Sequence, residues 1–208
     1  MKVVLVCGYE SRGFDDPRAV SVGRALAAEI GEGLTCIVPM TLGRDPKLVA
    51  ECGRAARSSG SDTVIVSEPF GTATHLIAWL RAAAPESDLL ITSPADDPYN
   101  DAELFRIARL VKQFSGRQFV EVAFDGGDPS VEQGKDRCHR LGVSHVEHVP
   151  ATFELLSRAA IDAVISQRVH AAKHRFEHGD NGIHAALHAE DQHGHAHSHG
   201  PGEHHHHH

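Results

Sequence analysis

The sequence predicts an α/β fold of two similar lobes, each a small parallel sheet flanked by helices. Three observations predict it. Six short apolar runs alternate with amphipathic segments, the pattern of strands feeding helices that return over a parallel sheet. The two halves echo each other. "LTCIVPMTLGRDPKLVAECGRAARSSGSDTVIVSEPF" and "FVEVAFDGGDPSVEQGKDRCHRLGVSHVEHVPATF" both run strand, loop, Asp-Pro helix start, Gly stop, strand, Pro. A repeat of roughly 80 to 85 residues indicates two units of one kind, each burying its own sheet face. After Arg168 large apolar residues become scarce, which sets off a tail. The expected division is an N-terminal lobe over residues 1–86, a C-terminal lobe over 87–178 and a disordered His-rich tail over 179–208. A single six-stranded doubly wound sheet is the alternative.

Each element has a local reason. "VVLVCG" (3–8) is a continuous apolar run, as in a strand buried on both faces. Pro17 then opens "PRAVSVGRALAAEIG", a helix that Gly31 ends. "LTCIVPM" (34–40) is the second strand; Asp45 as N-cap, Pro46 at the first helical position and Gly60 past the end bound the next helix. "DTVIVSEPF" (62–70) is the third strand and "ATHLIAWLRAAA" the third helix. "DLLITSP" (88–94), "QFVEVAF" (118–124) and "SHVEHVP" (144–150) are strands, with helices starting near Asp101, Asp128 and Thr152.

Composition narrows the function. Hydrophobic residues at 41% and charged residues at 23% are ordinary for a soluble domain. No apolar run reaches the roughly 18 to 20 residues of a membrane span, and "MKVVLVCGYE" reads as a first strand rather than a signal peptide. Cys7, Cys36, Cys52 and Cys138 lack CxxC spacing, which suits reduced thiols in the cytoplasm better than a zinc ribbon or a disulfide framework. A net charge of −8 argues against nucleic acid or an anionic membrane as partner. Nine of the eighteen histidines lie between residues 193 and 208, so borderline metals enter the argument. His204–His208 read equally as an expression tag or as native sequence. The alternating His193, His195, His197 and His199 are not written as tags are. His170, His174 and His178 share one helix face at four-residue spacing; a metal chelate and a solvated helix end are equally open.

Several motifs, in order, resemble those of the small sirohydrochlorin chelatases, the CbiX-type class II chelatases. In that family the first strand ends in Gly-His-Gly-Ser-Arg followed by Asp-Pro-Arg, and here "CGYESRGFDDPRA" stands in that place. "CIVPMTLGRDPKLVAEC", "EPFGTATH" and "LLITSPADDPYNDAELFRIARLV" resemble the segments that follow, over about residues 1 to 115. The resemblance implies flavodoxin-like lobes of the chelatase-like kind. It also implies insertion of Fe2+ or Co2+ into sirohydrochlorin, for siroheme or cobalamin synthesis, with no cofactor beyond that metal. One departure stands out: the family's first site histidine falls on Tyr9.

Metal insertion removes two pyrrole N–H protons and strips water from the metal, tasks suited to a neutral imidazole. His75 follows the third strand at the start of a helix, on the carboxyl edge where such sheets hold ligands. It is the expected base and metal ligand; a helix-capping role is the plainer reading. Glu10 follows the first strand and is the expected substitute for the missing imidazole. Tyr9, too weak a base at neutral pH, is expected to pack on the macrocycle. Ser11, Arg12, Arg18 and Arg44 are expected to grip substrate carboxylates, with Thr72 and Thr74 at a helix N-terminus that accepts an anion. The tail histidines 193, 195, 197 and 199 would gather metal, since a disordered run lacks the dry, open site of catalysis. One chain supplies both lobes, so a monomer is expected. The competing reading is a histidine-rich metal chaperone or store on the same scaffold.

Overall fold

The computed structural model describes residues 1–191. Seven strands and seven α-helices alternate along them: β1 (Lys2–Cys7), β2 (Ala19–Ser21), α1 (Arg24–Glu29), β3 (Thr35–Met40), α2 (Pro46–Ser58), β4 (Val64–Val66) and α3 (Ala73–Ala83) in the first half. The second half runs β5 (Leu89–Pro94), α4 (Pro98–Ser115), β6 (Val120–Asp125), α5 (Val131–Arg140), β7 (Glu147–Pro150), α6 (Arg158–Glu177) and α7 (Ile183–Leu187). Two separate sheets form, ordered β2-β1-β3-β4 and β6-β5-β7. Every pairing is parallel, with Lys2 to Cys7 opposite Thr35 to Met40, and Leu89 to Pro94 opposite Val120 to Asp125. Two small parallel sheets flanked by helices are therefore present, and the single-sheet alternative is not.

β3 is buried along its whole length, because α2 covers one face and α6 the other. That coverage is why its sequence lacks polar alternation. α6 starts in the second half yet packs on β3 and β4 of the first. One core consequently runs through both lobes, from Leu5, Val38 and Phe70 to Leu104, Phe124 and Ile161. Phe153 joins them most directly, its ring centroid 4.8 Å from Phe70 and 5.5 Å from Phe14. Each such fully buried side chain contributes about 1.5–3 kcal/mol.

Three expectations need correction. The helix expected from Pro17 begins only at Arg24, and Ala19–Ser21 instead pair with Leu5–Cys7 as edge strand β2. β-Branched Val20 and Val22 favour extension, and Gly23, at φ +84°, turns the chain into the helix. The final long helix starts at the N-cap Ser157, whose hydroxyl accepts from Ala160 N, after a short 3-10 turn at Phe153–Leu155. The tail begins later than residue 179. Val66 N donates to Asn181 O at 2.9 Å, covering the open edge of β4, and α7 lies on α2 with Ala186 buried. Small residues make this docking possible: a Cβ at Gly53 would stand 3.0 Å from that of Ala186, and one at Gly182 2.0 Å from Val66 O. Residues 192–208, with His193, His195, His197 and His199, lie outside the described residues.

Candidate functional site

The carboxyl ends of β1, β3 and β5 meet at a buried ion pair. Glu10 sits in the 3-10 turn Tyr9–Ser11 that follows β1 and is 0% exposed. Its Oε2 accepts from the amides of Leu42 at 2.9 Å and Arg44 at 3.3 Å and from the Thr41 hydroxyl, while its Oε1 accepts from Arg44 Nε at 3.3 Å. Arg44 is itself 1% exposed. Its guanidinium donates to Ser93 Oγ and to Asn100 O, at 3.4 Å for the latter, both on the second lobe. Tyr9 closes the arrangement, donating its hydroxyl to Arg44 O at 3.1 Å with the Arg44 guanidinium 5.3 Å from its ring centre. Burial, and next the Glu10 charge, push the Tyr9 phenol well above its usual range, so it is no base. Glu10 is thus the enclosed counter-ion of Arg44, and Arg44 a tie between lobes rather than a rim cation.

The remaining expected residues fall in two other places. Ser11 Oγ accepts from Gly8 N at 2.9 Å and donates to Gly8 O, closing its own turn. Arg12 is exposed. Arg18 chelates Asp16 at 2.8 Å through both Nε and Nη2, and Arg158 donates to the same carboxylate. The Arg18 hydrogen bond is the main reason that carboxyl lies well below the usual range.

Thr72, Thr74 and His75 belong to the first turn of α3. Thr72 is the N-cap, and His75 Nδ1 lies 2.8 Å from its hydroxyl and 3.3 Å from its amide nitrogen. The imidazole stacks on Trp79, ring centres 5.6 Å apart, and remains exposed. Partial burial, and next the Arg168 guanidinium, hold its pKa below the usual histidine value, so it is neutral at pH 7. Nδ1 accepts from the Thr72 amide N–H, the reciprocal half of a capping box, and from the Thr72 hydroxyl, so the neutral ring carries its proton on Nε2. His75 and Glu10 share no hydrogen-bond partner.

The same edge borders a cavity of about 740 Å3 that the sequence did not disclose. Thr72 and Thr74 reach it from α3, Arg106 from α4, Arg175 from α6, Ala185 from α7 and Ala189 from the turn that follows α7. Asp45 also lines it while capping α2 through a 2.9 Å bond from Leu48 N. Burial pushes the Asp45 carboxyl up to about 6, with the Glu10 and Asp96 charges adding to the rise and the Leu48 amide opposing it. This makes Asp45 a group that exchanges a proton near neutrality. Its signal in the sequence was an Asp-Pro helix start, which reports the cap and not the burial. A Cβ at Gly8 would lie 2.5 Å from Asp45 Oδ2, so the glycine ending β1 is required by this carboxylate.

All four thiols are free, and burial pushes that of Cys36 up to about 12. Among the described residues no group of three or more His, Cys, Asp or Glu side chains is disposed to hold a metal. No helix there is long and apolar enough to cross a membrane. No family model matches the chain, and no curated protein or solved structure matches it at the level accepted as significant.

Proposed function

We propose that the chain is a sirohydrochlorin chelatase that inserts Fe2+ or Co2+ into its substrate as a monomer in the cytoplasm. The observation that carries this reading is His75: an exposed, neutral imidazole at the carboxyl edge of the first sheet, oriented by Thr72 and Trp79. The ordered motif resemblance around Tyr9, Thr72–His75 and Asp97–Pro98 supports it. In this mechanism His75 is the base: a tautomer shift that moves its proton to Nδ1, against the Thr72 hydroxyl, frees Nε2 to take the pyrrole proton. Arg106 and Arg175 line the adjoining cavity while paired with Glu103 and Glu68, and the substrate's carboxylates would take the place of those partners. We assign the second proton to Asp45, which lines that cavity and titrates near neutrality. The tail histidines gather metal without shaping the transition state.

The second reading, a non-catalytic metal chaperone or store, has one specific observation in its favour. Tyr9 stands at the family's first histidine, and the neighbouring carboxylate that would replace it is committed to Arg44. The absorbance change on mixing the protein with sirohydrochlorin and Co2+ or Fe2+ separates the two. Chelation faster than the spontaneous rate, reduced about 10²- to 10⁴-fold in His75→Ala, is the expected result. A parent protein that binds metal yet leaves the spontaneous rate unchanged is a store.

A further inference from the structure

Beyond the α3 edge, two pairs of imidazoles lie one helical turn apart. His174 and His178 have ring centres 4.6 Å apart, and His184 and His188 4.7 Å apart. Residues four apart on a helix face the same way, so either pair has the spacing of a bidentate chelate. Their surroundings differ. In the first pair His178 Nδ1 lies 2.8 Å from the His174 carbonyl oxygen, a backbone partner rather than a carboxylate. Residues 183–191, "IHAALHAED", end in two acids, of which Glu190 is paired with Arg54 and Asp191 is left to the histidine pair. His188 Nδ1 lies 2.8 Å from Asp191 Oδ2. A carboxylate in that position fixes the Nδ1–H tautomer, directs the Nε2 lone pair outward and raises the basicity of the ring.

We propose that His184 and His188 form a two-imidazole chelate for a borderline divalent cation on the helix that walls the cavity, with Asp191 orienting His188. Both rings are exposed, while Ala185 on the helix and Ala189 just past its end line the cavity. A cation held here stands at the cavity's margin, immediately before the residue where the His-rich segment begins. Two imidazoles bonding at about 2.0–2.1 Å leave the other coordination positions to water. The ion is thus exchangeable and can pass onward. Affinity should follow the ordinary series, Cu2+ above Ni2+ and Zn2+, with Co2+ weaker. The site does not depend on chelatase activity, so its test and that of His75 fail separately.

The test uses the full-length chain with the nine histidines between 193 and 208 replaced by serine, titrated with Cu2+ alone and read by electron paramagnetic resonance. One equivalent should bind with the splitting of two imidazole nitrogens. His184→Ala and His188→Ala should each weaken it at least tenfold and leave at most one nitrogen. Asp191→Asn should retain two nitrogens with affinity about tenfold lower, the loss typical of removing an outer hydrogen-bond partner. Unchanged circular dichroism would show that the variants fold. A two-nitrogen signal that survives the paired replacement of His184 and His188, or that is lost instead in His174→Ala, would overturn the proposal. So would its absence at one equivalent.

Discussion

Glu10 and Arg44 show how a charged residue can be misplaced when only its chain position is known. Both follow strands, where exposed ligand-binding groups are common, yet they find each other across more than thirty residues and vanish from solvent. Nothing local in "GYES" or "LGRD" announces that pairing. Glu10→Gln should therefore cost stability, about 3–5 kcal/mol, by leaving Arg44 buried without its counter-charge. Urea unfolding measures it, and adding Arg44→Met should recover much of the loss. A rate defect without a stability defect would instead make Glu10 part of the chemistry. Asp45 carries a prediction in pH. Its folded-state pKa lies above its unfolded one, so the native state holds the proton more tightly. That stabilisation is complete below about pH 4 and lost as pH rises through about 6. Asp45→Asn keeps an N-cap and should gain about 2–3 kcal/mol relative to the parent between pH 4 and pH 7. Equal pH dependence in both proteins would show that Asp45 is not held in its neutral form.

Elements with a strong local reason were legible. β3 declares itself as an apolar run, and α2 through Asp45, Pro46 and its distal glycine. The misses have physical causes. β2 is three residues long, too short for a period, and the apolar spacing of "PRAVSVG" also fits a helix. α7 docks through Gly53, Ala186 and Gly182, so a composition poor in large apolar residues hid contacts that depend on closeness rather than bulk. Gly182→Ala tests this. Its φ of +72° and the 2.0 Å approach to Val66 O should strain the turn, release α7 and expose the β4 edge. Faster hydrogen exchange in residues 64–66 and 181–188, with little change in β5–β7, is the expected pattern. Of the expected site, only the first turn of α3 stayed on the cavity's rim; the cavity itself needs α4, α6 and α7, which no motif connects.

For the molecule as a whole, the relevant division is not between equal halves. α6, which begins in the second half, packs on the first sheet, and the segment after it completes that sheet's edge. Ending the chain after residue 191 should leave thermal unfolding and the maximal chelation rate in excess metal nearly unchanged. Ending it after residue 178 should lower the melting temperature, by about 2–4 °C per kcal/mol lost. Calorimetry of the two truncations against the full chain measures both. Equal stability of the two shortened chains would mean that α7 only rests on the surface.

The order of synthesis gives the return of the chain a further consequence. Val66 N–H leaves the ribosome more than a hundred residues before the Asn181 carbonyl that accepts its hydrogen bond. At 5–20 residues per second the nascent first sheet waits about 6–23 s with a bare edge strand. An unprotected edge invites pairing with another chain, so the growing polypeptide is most vulnerable to self-association, and most in need of a chaperone, while its second half is still being made.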